Sequence, residues 1–209
     1  MTRGASKIKK LVGNMTGQKR NQGGETYQKR PSKAALLAAA GRAVPDLIAP
    51  RLNILFCGIN PGLYSAWAGH HFARPGNRFW PALFAAGFTD RVLRPEEEPE
   101  LLQLGYGITN LVDRATLGSG ELSREELMNG GRCFETKVKV HRPRAVAILG
   151  VSAYRVAFER PEARFGAQAE RIGKTLVWVL PNPSGLNAHF APRALAKVFR
   201  ELQLALARS

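Results

Sequence analysis

An α/β fold, with a mostly parallel sheet covered on both faces, is what this sequence predicts on three observations. Leu52–Gly58 and Ala145–Leu149 are apolar almost throughout rather than alternating, as strands are when both faces are buried. Stretches with apolar residues at helical spacing separate such runs, the order of an α/β chain. Two strands end in near-identical punctuation, Cys57-Gly58-Ile59-Asn60-Pro61-Gly62 and Leu180-Pro181-Asn182-Pro183-Ser184-Gly185. In an open parallel sheet, ligands sit beyond the carboxyl ends of the strands, so both turns are expected on one edge, flanking one site.

Taken in order, Leu52–Gly58 is the first buried strand, and Arg78–Ala86 is a helix running through Phe79, Leu83 and Phe84. Asn77 stands where a helix cap belongs. Gly105–Leu111 is a short strand or strand-like loop. Arg124–Val140 is helical, with Leu127, Phe134 and Val138 on one face. Ala145–Leu149 is the second buried strand and leads into a helix through Tyr154 to Phe158. Leu176–Leu180 is the third, and Pro192–Ala207 is a closing amphipathic helix that begins on proline, as helices tolerate. Trp80 is read as core.

The charge is far from balanced. Of 209 residues, 31 are Lys or Arg and 16 Asp or Glu, a net +15 that points to a polyanionic partner, nucleic acid or an anionic membrane surface. Residues 1–33 hold nine of the cations and one acid, Glu25, leaving 22 basic and 15 acidic residues in 34–209. The first segment is nearly empty of large apolar residues and is expected to be a mobile tail, 34–209 being the folded domain. Such a tail serves either solubility alone or as an arm that binds phosphates without sequence preference. Two cysteines, Cys57 and Cys133, make no disulfide framework and do not supply the thiolates of a cluster or zinc site. A reduced compartment fits: cytoplasmic and nucleoid-associated in a bacterium, nuclear in a eukaryote. No apolar stretch approaches the roughly 20 residues of a membrane span.

The two turns belong to an ordered series: GINPGL at 58–63, GHHFARPGNRFW at 69–80, GYGITNLVDRAT at 105–116, GGR at 130–132 and LPNPSGLN at 180–187. The series resembles the mismatch-specific uracil/thymine branch of the uracil-DNA glycosylase superfamily, over nearly all of 34–207. The resemblance implies a three-layer α/β/α sandwich with a short, mostly parallel central sheet. It implies hydrolysis of the N-glycosidic bond of a uracil or related base flipped out of double-stranded DNA, with G·U mispairs preferred and other modified pyrimidines as further substrates, by a monomer, with no metal and no cofactor. It places the water-positioning role on Asn60, the base pocket at Gly58, Ile59, Ser65 and Phe72, and the wedge that fills the vacated stack at Leu186. Gly185, Ser184 and Asn187 then face the backbone or the widowed guanine. Where the branch often has an arginine shortly after the wedge leucine, this chain reads Asn187-Ala188-His189.

The chemistry bears on these assignments. Cleaving the deoxyribosyl–base bond develops positive charge on the sugar and negative charge on the base, so a site helps by fixing a water and by offering donors to the leaving base. An asparagine amide orients water but is a very poor base. Asp90 and Asp113 are therefore candidate additional water activators, against the plainer reading that each pairs with the next arginine, Arg91 or Arg114. The amides of Ile59, Asn60, Gly62 and Leu63 lie where strand hands over to turn, placed to offer free N–H groups. His70-His71 reads as pocket wall or phosphate contact rather than metal ligand, because adjacent histidines seldom face one ion. Arg74, Arg78 and Arg193 are phosphate partners or solvated surface. The rival readings are a lesion-recognition module on this fold without turnover, and an enzyme acting on a small nucleoside.

Overall fold

The computed structural model describes residues 30–185 and 190–208. Of the segment 1–33, only its last four residues are among them. Five strands, β1 (Ile54–Gly58), β2 (Tyr106–Asn110), β3 (Ala145–Leu149), β4 (Gly166–Ile172) and β5 (Thr175–Leu180), form one sheet in the order β2-β1-β3-β5-β4. The first four in that order are parallel, and β4 runs antiparallel to β5 as an edge. Among the described residues seven α-helices accompany them: α1 (Lys33–Leu37), α2 (Leu63–Ala68), α3 (Phe79–Ala86), α4 (Glu100–Gln103), α5 (Arg124–His141), α6 (Val151–Ala157) and α7 (Pro192–Ala207).

Strand alternation sorts the core into two halves. Ile54 and Phe56 of β1 face α3 and α7, where Phe56 meets the rings of Phe79, Phe88 and Phe199 within 6.2 Å. Leu55 and Cys57 point the other way, onto Phe134 and Val138 of α5 and Ala153 and Tyr154 of α6. The molecule is thus a three-layer α/β/α sandwich around a mostly parallel sheet, as expected from strands apolar on both faces. Burial pushes the Cys57 thiol up and keeps it protonated. Trp80 is buried beside Phe79.

The elements expected from the sequence are present within a few residues of their limits. β4 was not expected. Its sequence, Gly-Ala-Gln-Ala-Glu-Arg-Ile, alternates between half-buried and exposed positions and carries one large apolar residue, as an edge strand can. A two-residue turn at Gly173-Lys174, with Gly173 at φ +63°, joins it to β5. The opposite edge, β2, is covered by Leu47, which exchanges both backbone hydrogen bonds with Ile108 (2.9 and 2.8 Å). Among the described residues no helix is long and apolar enough to cross a membrane.

Two glycines let α5 approach the sheet edge. A Cβ on Gly130 would run into the carbonyl of Leu111, and one on Gly131 into the carbonyl of Ala157 at the end of α6. The segment after β2 therefore lies directly against α5, and that segment carries half of the site.

Candidate active site

A cavity of about 400 Å³ opens at the carboxyl ends of β1, β2, β3 and β5. The turn after β1 forms its floor. Carbonyls of Gly58, Ile59 and Pro61 accept from the N–H groups of Leu111, Val112 and Thr116 (2.9, 2.9 and 3.2 Å), so the two post-strand segments run side by side. Among the described residues the N–H groups of Ile59, Asn60 and Gly62 donate to no protein acceptor, in keeping with their position at the strand end, whereas the parallel bridge between Gly62 and Thr116 turns the N–H of Leu63 onto the Thr116 carbonyl.

The amide of Asn60 has one allowed orientation. Its Nδ2 donates to the carbonyl of Arg114 (3.0 Å) and to Thr116 Oγ1 (2.7 Å), with Pro61 O at 3.3 Å. A backbone carbonyl only accepts, so the NH₂ end must face Arg114. Thr116 Oγ1 in turn donates to Gly118 O (2.9 Å), which leaves its lone pair for Asn60. Both amide protons are thereby committed, and Oδ1 remains as an acceptor at the cavity. Such a group can hold a water by one hydrogen bond. Arg114 is itself fixed, its Nε 2.6 Å from Glu126 Oε1 near the start of α5. That pairing draws the Glu126 carboxyl down to about 2.

Asn110, the last residue of β2, is the second amide of the site. It is buried and lines the cavity, and its side-chain nitrogen and oxygen meet no protein partner among the described residues. Gly58 makes room for it: a Cβ there would strike Asn110 Oδ1 and come within 3.4 Å of the Phe72 ring. An unpartnered buried amide is costly unless something else satisfies it, and here it faces open cavity.

The aromatic wall is Phe72. It sits at φ +52°, in the left-handed region that costs a non-glycine residue on the order of 1–3 kcal/mol. Its neighbours on both sides are held. His71 N donates to Glu98 Oε2 (2.9 Å) and Ala73 N to Ser65 Oγ (3.1 Å). The ring stacks on Phe79 with centroids 4.1 Å apart and borders the cavity. Ser65 thus lines the pocket and braces it. His71 is buried, its Nε2 donating to the carbonyl of Pro45 (2.9 Å), and burial lowers its pKa, so the imidazole is neutral with its lone pair on Nδ1. His70 Nδ1 lies 3.1 Å from Glu98 Oε1; among the described residues no three His, Cys, Asp or Glu side chains are grouped to hold an ion.

The second turn reaches the same cavity through Asn182 and Ser184. Asn182 Oδ1 accepts from Ser184 N (2.9 Å), a local turn, and Gly185 packs so closely on Gly76 that a Cβ would strike the Gly76 carbonyl. Arg78 is the strut. Its backbone N–H bonds Pro183 O (2.9 Å), and its guanidinium bonds Ser184 O (2.6 Å) and Phe190 O. This corrects its reading as a phosphate partner: the guanidinium is turned inward onto carbonyls. Leu186 and Asn187 lie outside the described residues. Asn77 Oδ1 accepts from Phe79 N (2.9 Å), the first N–H of α3, but the N-cap residue is Arg78, so Asn77 stands one position before the cap expected of it. Arg74 is exposed at the rim.

The structure brings Gly58, Ile59, Asn60, Ser65, Phe72 and Ser184 together around one cavity, and leaves the two carboxylates out of its lining. Asp90 is exposed just after Phe88, whose ring packs on Tyr106 at the start of β2, the edge of the sheet away from the cavity. Asp113 is exposed on the segment behind Asn60. Nor does either pair with its next arginine. Arg91 bonds Glu100 (2.9 Å) and Arg114 bonds Glu126, because the chain's turns carry these side chains towards α4 and α5. Sequence reasoning passed over Asn110 and Thr116. The signal for Asn110 was present: Thr109-Asn110 are polar residues closing an apolar strand at the edge where ligands bind.

The fold has a solved counterpart. The solution NMR structure of a candidate uracil DNA glycosylase from Methanosarcina acetivorans aligns with 78% of this chain and 98% of its own, at 20% identity and a TM-score of 0.50. At that identity the likeness speaks for the fold. The sequence pattern of the uracil DNA glycosylase superfamily matches residues 45–203, which takes in the turn after β1, the aromatic wall, β2 with its following segment, and the turn after β5. The match covers the greater part of the chain, including the cavity's two facing turns, and the chain belongs to the uracil DNA glycosylase superfamily.

Proposed function

We propose that this protein is a monofunctional DNA glycosylase of the mismatch-specific kind. It takes uracil, foremost in G·U mispairs, out of duplex DNA and hydrolyses its N-glycosidic bond, leaving an abasic site. The observation that carries the reading is the amide of Asn60, pinned at both N–H groups so that Oδ1 alone is offered to a water. In the step itself, the water oxygen bonds to C1′ while the C1′–N1 bond breaks. The electron pair leaves with the base as an N1 anion, and the proton of the water passes to solvent. The side-chain amide of Asn110 and the unengaged N–H groups of Ile59, Asn60 and Gly62 supply donors to the base and its developing charge. Phe72 supplies a face for stacking.

The preference for mispairs follows from energetics and from the motifs. A mismatched base costs less to extrude, and an amide in place of a carboxylate favours bases that leave readily. GINPGL and LPNPSGLN are the letters that resemble the mismatch-specific branch. Base release from uracil opposite G, opposite A and unpaired tests the reading directly, with G·U expected fastest. Asn60→Ala is expected to slow release by about 100-fold or more while duplex binding holds. Unchanged turnover in that variant would remove Asn60 from the reaction.

A further inference from the structure

One side chain at the mouth of the cavity has no internal purpose. Leu117 is 75% exposed, more than any other large apolar residue among those described, and it is the one of them that lines the cavity. Single exposed leucines are ordinary on a protein surface when they move freely. This one is held. Thr116 N bonds Pro61 O (3.2 Å), Thr116 Oγ1 bonds Gly118 O (2.9 Å), Gly118 N bonds Glu121 Oε1 (3.2 Å), and Glu121 N returns to Gly118 O (3.1 Å). The lip is therefore tied to the same hydroxyl that orients Asn60, and its leucine is presented with little ordering left to lose on contact.

The glycines of the lip tell the same story. Gly118 is extended (φ −156°, ψ 152°), and neither it nor Gly120 is in the left-handed region. A Cβ at either would meet nothing within 4 Å. Neither the backbone nor the interior asks for glycine there, and what glycine leaves is bare main chain on the outer rim. Strand order places this lip, which follows the edge strand β2, on the opposite side of β1 and β3 from the turn that follows β5.

Resting on the reading that duplex DNA is the substrate, we propose that the Leu117–Gly120 lip is a second duplex-opening element. Leu117 enters the base stack beside the extruded nucleotide, across the cavity from the turn after β5, and the glycines let the main chain approach the sugar–phosphate backbone. An apolar wedge of this kind offsets the unstacking of the steps it separates. The wedge acts on the paired duplex and not on the base in the pocket.

Leu117→Ala and Leu117→Met, compared on a G·U duplex and on the same uracil strand unpaired, test the proposal. Leu117→Ala is expected to lower base release from the duplex by about tenfold and to leave the unpaired strand within about twofold, with Leu117→Met close to wild type. Equal loss on both substrates, or no loss on the duplex, overturns it. Fluorescence of 2-aminopurine placed beside the mispair reads opening without turnover. If wild type releases no base at all, the glycosylase reading falls, yet brightening by wild type and not by Leu117→Ala still supports the lip. Equal brightening by both, or by neither, overturns it.

Discussion

At Thr116 one hydroxyl does two jobs, and that coupling decides where the oxygen of Asn60 points. Oγ1 donates to Gly118 O and accepts from Asn60 Nδ2, so neither bond can be reversed without losing the other. Replacing the hydroxyl by a methyl leaves an amide proton unpartnered and the amide free to rotate. Thr116→Val is expected to slow base release by about tenfold with duplex affinity kept, and Thr116→Ser to recover most of the rate; single-turnover kinetics on a G·U duplex give both numbers. Asn60, Phe72 and Ser65 are legible as site residues from their motifs. Thr116 is not, because a single threonine after a strand has no distinctive spacing, and Asn110 shows only as a polar residue closing an apolar strand. The role of Thr116 comes from a partner 56 residues away in sequence, Asn60. The reverse holds at Asp90 and Asp113, where adjacency suggests ion pairs that the turns forbid.

Helix α5 shows how an element distant in sequence holds the site together. Its Gly130 and Gly131 face two different neighbours, the segment carrying Thr116 and the end of α6. Adding a methyl at either position forces backbone apart, an overpacking cost of about 1–3 kcal/mol. The two differ in consequence. Gly131→Ala is expected to lower the urea midpoint alone. Gly130→Ala is expected to lower it similarly and also to slow base release, because the displaced Leu111–Val112 backbone pairs with the Asn60 turn. Equal activity in the two variants, measured well below either unfolding midpoint, would contradict this. At this scale the sequence is informative: α3, α5, α7 and the parallel strands follow from apolar period, and the structure adds the cap of α5, Ser123, whose Oγ accepts from Glu126 N. β4 escapes because an edge strand needs only one buried face and little apolar content.

Across the whole molecule, charge and architecture divide the work. The folded sandwich offers one cavity edge to the substrate, and the net charge of +15 governs affinity for any polyanion. Eight cations and one acid fall in residues 1–30. Deleting those residues keeps Ser32, whose Oγ accepts from Ala35 N at the start of α1, so the domain's first helix retains its cap. The shortened protein is expected to bind nonspecific duplex more weakly, with the slope of log K against log salt flattened by about 0.9 for each phosphate that the segment neutralises in the full chain. Excision from a G·U duplex at saturating protein is expected to persist. An unchanged salt slope would mean the segment serves solubility alone.

The sequence by itself determined the layer architecture and the location of the site. Hydrophobic pattern dictates which faces must be buried, and a parallel sheet has one carboxyl edge on which its turns converge. Only the tertiary structure decided the chemistry within that edge. It settled which way the Asn60 amide faces, that Asn110 meets open cavity, that Arg78 turns inward, and that neither aspartate lines the cavity. Hydrogen-bond direction and charge pairing depend on groups brought together from separate strands, and nothing in the local order of residues encodes those meetings.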